Sequence, residues 1–271
     1  MYRIEEIKNQ LDLFLVGEKP TNENVKEFCK KVVLKNITNE NTARRRVNLL
    51  NKAVEEYGVH TTLQEIVQEG LKFKATKDGL ITREELDEYV SMLENPQDQA
   101  ILYCLFFGIG GKQMIELREL KENQIDLDNK IIKLENRTVK IDDTFARILR
   151  DALEQDKYYP IKLSDAALVD EIPFNMASEY LIKQRQTKGN NMGTTRISYG
   201  ALMKRLYTIN TYLDVTSLKK DVLVKSGYAY KLHTELEGEV AYANVDRFIK
   251  ENNLKVNVAI LIDTYKDIYE K

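Results

Sequence analysis

Apolar residues recur at helical spacing along most of this 271-residue chain, and the period falls to two around Lys130–Ile141. That switch constrains the fold most, because a stripe at period 3.6 buries one helix face whereas alternation buries one sheet face. Ile4, Ile7, Leu11, Phe14 and Leu15 form a first stripe, stopped by Gly17 and Pro20. Thr21-x-x-Asn24 opens a second helix with Val25, Phe28, Cys29 and Val32. A third begins near Asn39 or Asn41 and turns Ala43, Val47, Leu50 and Val54 inward until Gly58; a fourth follows Thr61–Thr62. Lys72–Gly79 lacks periodicity and reads as a linker. Beyond it, Thr82-x-x-Glu85 is a capping box ahead of Leu86, Tyr89, Val90 and Leu93. An apolar helix over Gln97–Phe107 and a short one over Glu116–Leu120 follow. Lys130–Leu134 and Thr138–Ile141, joined by Glu135-Asn136-Arg137, predict a β-hairpin. Helices are expected again at Thr144–Gln155, Asn175–Gln184, Tyr199–Leu213, Ser217–Ser226, Asn244–Glu251 and Val256–Tyr269. The expected fold is mainly α with a small antiparallel β-sheet, in two domains: residues 1–75, all helical, and residues 80–271, with the hairpin near 130–141.

Composition narrows the function classes. A chain with 43% hydrophobic and 31% charged residues is long enough for one large core or two smaller ones. No apolar run approaches the roughly 18 residues of a membrane span, and MYRIEEIKNQLDLFL lacks a signal peptide's pattern. The expected location is therefore cytoplasmic and nucleoid-associated, with no membrane partner. Cys29 and Cys104 have no metal-ligand spacing, and no P-loop, dinucleotide fingerprint or nucleophile elbow is present. No metal or other cofactor is expected. Net charge is −2, but its distribution is uneven. Between Tyr180 and Lys231 ten basic residues face only Asp214 and Asp221, giving +8 there and leaving −10 elsewhere. A basic island in an acidic protein is either a solvated surface or a footprint for a polyanion.

The segment FGIGGKQMIELRELKENQIDLD, Phe107–Asp128, resembles the first signature of tyrosine recombinases (phage integrases), and LITREEL, Leu80–Leu86, resembles the usual opening of their second domain. The order of bundle, linker, capped helices, small sheet and further helices is similar across almost the whole chain. The resemblance implies a two-domain clamp on DNA, with a tyrosine nucleophile and cationic residues around the scissile phosphate. It extends to the recombinase-like lysogeny repressors of SPβ-type Bacillus phages.

Carried over position by position, the catalytic set is degenerate. Gln113 stands where the family has its first arginine, and Gln carries no charge to stabilise a pentavalent phosphate. Lys112 is adjacent, but it is a point charge without a planar fork. The hairpin lysine falls among Lys133, Arg137 and Lys140, and Arg137 is a poor general acid. VTSLKKDVLVKSG puts Thr216 at the histidine and Lys219 at the second arginine of the central box, ahead of a helix ending in glycine. The next position falls at Asn252-Asn253, where Asn253 suits a left-handed helix cap. The nucleophile falls at Tyr265, with Tyr269 as runner-up. No catalytic residue is therefore expected to be functional.

DNA-binding candidates are Arg44, Arg45 and Arg46 on the third helix, Arg137 at the hairpin, Lys219 and Lys220, and the run Lys183, Arg185, Lys188, Arg196 with Lys204 and Arg205 beyond it. Arg44–Arg46 are otherwise a solvent face paired with Glu40. The expected function is sequence-specific binding of double-stranded DNA without strand cleavage, as a prophage regulator or repressor controlling lysogeny. The competing readings are a divergent active recombinase using Lys112 or Lys219 with Tyr265, or an accessory protein of a true recombinase. Further expected partners are a phage regulatory protein, or a second copy engaged through Val256–Lys271.

Overall fold

The computed structural model describes residues 4–35, 37, 40–68, 79–161, 171–186, 196–213, 215 and 217–270. It divides into two compact units, Met1–Gly79 and Leu80–Lys271. The expected linker Lys72–Gly79 lies, apart from Gly79, outside the described residues.

The regular structure of the first unit's described residues is all helical, with α1 (Ile4–Leu15), α2 (Asn22–Phe28), α3 (Glu40–Val54) and α4 (Leu63–Gln68). Thr21 and Asn24 form the expected reciprocal cap. The apolar stripes meet in one core of Ile7, Leu11, Val25, Phe28, Val47, Leu50 and Ile66. Burial raises the Cys29 thiol to about 12, as befits a packing residue.

The second unit opens with α5 (Arg83–Ser91), capped by the Thr82–Glu85 box. Arg83 then pins three elements together. It pairs with Asp87 at 2.8 Å and with Asp142, the N-cap of α8 (Asp143–Glu154), and it donates to the Tyr103 hydroxyl at 3.2 Å. Its guanidinium also lies 4.9 Å from the Tyr103 ring centroid, a cation–π contact. Tyr103 belongs to α6 (Pro96–Phe106), buried along nearly its whole length and thus the central helix of the core.

The predicted hairpin forms as β2 (Ile131–Lys133) and β3 (Thr138–Lys140), with β1 (Ile125–Asp126) completing a three-stranded antiparallel sheet of order β1-β2-β3. Ile132, opposite Ile125 and Val139, is the residue this sheet buries. Before it, α7 (Ile115–Arg118) is a single turn, shorter than the expected Glu116–Leu120 helix. The two-residue strands β4 (Lys157–Tyr158) and β5 (Ile172–Pro173) were not foreseen.

Two expectations are corrected. Asn175–Gln184 is not a helix but irregular chain with a turn and a bend, held by isolated bridges, among them Lys121↔Tyr180 and Lys183↔Arg196. The Asn175 side chain accepts from the Ala177 amide, and such a local bond competes with helix. Nor does the helix expected over Ser217–Ser226 end at glycine: α10 runs from Lys220 to Glu235. Gly227 is where α10 crosses α6, since a Cβ there would stand 1.5 Å from the Phe106 carbonyl oxygen. The remaining helices are α9 (Tyr199–Tyr212), α11 (Tyr242–Glu251) and α12 (Val258–Tyr269). Helix α12 folds back on its own unit and buries Val258, Leu261 and Ile268 in a satellite core with Leu232 and Phe248.

Candidate functional site

The connector between α6 and α7 is built from left-handed backbone. Gly108 and Gly111 have φ of 79° and 71°, and Gln113 and Met114 follow at 51° and 54°. Non-glycine residues pay roughly 1–2 kcal/mol each for that region, and burial of Met114 helps hold the turn. The expected amphipathic turn in MIELREL forms as α7, and the strained turn ahead of it separates the neighbouring side chains. Lys112 lines one cavity and Gln113 another.

The first cavity, of about 580 Å³, gathers five cations: Lys112, Arg137, Lys220, Lys225 and Lys255. Only Glu116 and Asp221 oppose them among its lining residues. Glu116 accepts a two-pronged pair from Arg137 at 2.9 and 2.8 Å, and the Gly110 amide at 3.1 Å. Lys255 stands 3.6 Å from the same carboxylate. Burial opposes ionisation of Glu116, but the Arg137 bonds and charge, the Gly110 amide and Lys255 outweigh it and hold the carboxyl below its ordinary range. Arg137 also donates to the Gly108 carbonyl at 2.8 Å. The hairpin arginine is thus committed to bracing the connector, while Lys112 and Lys225 add charge and Lys220 stands 3.4 Å from Asp221. Lys255 was missed because it lies far along the chain, outside the basic island; only the fold brings it in.

The second cavity, of about 710 Å³, lies between α9 and the start of α10, and Gln113, Lys219 and Lys220 line it. Two of the aligned catalytic positions, Gln113 and Lys219, therefore do converge. Thr216 lies outside the described residues. Tyr265 lines neither cavity; it packs in an aromatic cluster, 6.0 Å from His233 and 5.5 Å from Tyr269 between ring centroids. Burial raises the Tyr269 phenol, which stacks on His233 at 4.1 Å. Asn253 has φ of 49°, the left-handed cap its residue type predicted.

Other candidates are placed differently from expectation. Lys183, Arg205 and Arg45 are buried, which corrects their assignment to a DNA-facing surface. Lys183 donates to the carbonyls of Ala152 and Leu153 at the end of α8, and burial pushes its ammonium below the ordinary lysine value. A cation there complements the carbonyl end of a helix. Arg205 pairs with fully buried Asp98 at 2.6 Å and sits over the Tyr158 ring. Burial raises that Tyr158 phenol to about 12. Arg46 donates to the Val33 carbonyl at 3.1 Å, and Arg44 pairs with Glu40 at 2.9 Å. Arg185 lies over the Tyr158 ring at 4.7 Å, Arg196 pairs with Glu119, and Lys204 is exposed. Lys188 lies outside the described residues. Among the described residues no cluster of three His, Cys, Asp or Glu side chains suits a metal ion, and no helix is long and apolar enough to cross a membrane.

A mainly helical body with a small antiparallel sheet, and a strained connector facing a cation-rich cavity, is the recombinase-like class that GGKQMIEL and LITREEL suggested. Residues 80–268 match the family model described as MrpR, C-terminal catalytic domain, and the chain belongs to that family. It is 27% identical over 190 residues to the SPbeta prophage-derived uncharacterized protein YopR of Bacillus subtilis (strain 168). That match takes in 65% of this chain and 56% of the relative, so the chain spans little more than half the length of the curated protein it resembles. Among solved structures, XerA recombinase aligns over 97% of this chain and 84% of its own, at 14% identity and a TM-score of 0.45. The Tn1549 transposon integrase, solved in complex with circular intermediate DNA, aligns over 96% and 87%, at 10% identity and a TM-score of 0.41.

Proposed function

We propose that this protein binds double-stranded DNA at specific sequences without cutting it, and acts as a prophage regulator or repressor controlling lysogeny. The observation that carries the proposal is the cavity in which Lys112, Arg137, Lys220, Lys225 and Lys255 meet only two carboxylates. In a chain of net charge −2 such a concentration of cations calls for an anionic partner. Duplex DNA supplies phosphates in the density that lysines position, leaving arginines and amides to read bases. The same geometry supports the absence of cutting. Gln113 is neutral, the Arg137 fork is occupied by Glu116, and Tyr265 is packed against His233 and Tyr269 instead of lining the cavity. A phenol without a cationic cradle or a base beside it is a weak nucleophile.

Two assays test the two halves. Fragments from the protein's own genomic neighbourhood are expected to show a mobility shift that weakens steeply with salt, and a Lys220→Gln, Lys225→Gln variant is expected to flatten that slope by about two. No fragment shifting, or a slope indifferent to the two lysines, removes DNA from this cavity. A nicked suicide substrate is expected to trap no covalent protein–DNA adduct; an adduct abolished by Tyr265→Phe would instead establish a working recombinase.

A further inference from the structure

The second cavity has a composition that duplex DNA does not explain. Its floor is a stripe on α9, Tyr199, Met203 and Tyr207, spaced i, i+4, i+8 along about 12 Å of helix. These three side chains are 38%, 42% and 71% exposed. Leu206, Val215 and Leu218 deepen it. At one end stand Lys219 and Lys220. Lys220 leans on Asp221 at 3.4 Å, whereas Lys219 has no ion-pair partner among the described residues. Lys219 is also the N-cap of α10, and its side chain caps nothing, so the first amides of a 16-residue helix are left for an outside acceptor. Two residues earlier the Ser217 hydroxyl is buried without a hydrogen-bond partner.

The rest of the wall is already satisfied. The Asn210 amide donates to the Leu206 and Leu218 carbonyls at 2.8 and 3.0 Å and accepts the Leu218 amide at 3.1 Å. Asn210 therefore fixes the loop before α10 against α9 and shapes the cavity before any ligand arrives. At about 710 Å³ the volume falls within the usual range for small-molecule sites, which are mostly apolar with a few convergent polar groups. A flat apolar body suits the tyrosine and methionine faces. A negative group suits the lysines and the amide end of α10. In a duplex the base faces are stacked inside and only phosphates, sugars and base edges are exposed, so the tyrosine faces would find no ring to stack on.

We propose that this cavity is a binding site for a small aromatic phosphate of the nucleoside monophosphate class. The phosphate lies on Lys219, Lys220 and the amides of α10, and the ring system lies on Tyr199, Met203 and Tyr207. The proposal stands apart from DNA binding, but Lys220 and Asp221 line both cavities, so a ligand in one bears on the electrostatics of the other.

The test uses the full chain labelled at its methionine methyl groups and titrated with AMP. The Met203 methyl resonance is expected to shift saturably. Lys219→Gln with Lys220→Gln is expected to weaken that titration about tenfold through lost charge-assisted bonds. Tyr207→Ala is expected to weaken it by a comparable factor through lost stacking, with the other methionine signals unmoved in both variants as evidence of an intact fold. A Met203 signal that ignores millimolar AMP, or a titration unchanged in both variants, overturns the proposal. So does a Met203 shift produced by duplex DNA and not by AMP, which would assign the stripe to DNA. Mobility shifts run in parallel report DNA binding separately, so either proposal can fail while the other stands.

Discussion

Glu116 carries three tasks with one carboxylate: it neutralises Arg137, accepts the Gly110 amide and draws in Lys255. Glu116→Gln keeps the shape but leaves a mostly buried guanidinium without its counter-ion, and about 2–3 kcal/mol of stability is expected to go. The sign of the pH dependence follows from the direction of the shift. The folded carboxyl titrates below its ordinary 4.5, so its contribution is present above that value and is lost as pH falls through the folded value. Denaturation midpoints of wild type and Glu116→Gln are therefore expected to converge as pH drops below 4.5; a constant gap would refute the assignment. Gly227 is the other decisive single residue. Gly227→Ala drives a methyl into the Phe106 carbonyl, and because backbone cannot move aside cheaply, a loss of about 3 kcal/mol or more is expected in chemical denaturation.

Neighbouring residues on α9 separate scaffold from surface. Arg205 holds Asp98 in the core, whereas Lys204 is exposed. Arg205→Ala strands a buried carboxylate and is expected to cost about 3–5 kcal/mol in stability. Lys204→Ala is expected to leave the melting temperature in place while lowering the salt slope of DNA binding by about one. The reverse pattern would restore Arg205 to the DNA surface. Composition alone placed both in one basic island, since counting charges along the chain is blind to which face of a helix each occupies. Where the signal was local, the elements were legible. The caps at Thr21 and Thr82, the period-two run at 130–141 and the apolar run of α6 each act within a few residues. Asn175–Gln184 failed because its structure is set by bridges to Lys121 and Arg196, distant in sequence, and by the Asn175 turn.

Across the molecule the same distinction holds. The core of each unit follows from apolar stripes, but the cation-rich cavity collects Lys112, Arg137, Lys220, Lys225 and Lys255 from four stretches of chain, and no local pattern marks Lys255. The aligned positions Gln113 and Lys219 were found because the resemblance names them; the Tyr199–Met203–Tyr207 stripe was not, because at helical spacing it is indistinguishable from core until exposure is known. The left-handed pair Gln113–Met114 limits what one substitution can restore. The turn aims residue 113 at the aromatic cavity and residue 112 at the cationic one. An arginine at position 113 would place its guanidinium beside Lys219 but away from Arg137 and Tyr265, so Gln113→Arg alone is expected to yield no covalent adduct on the suicide substrate.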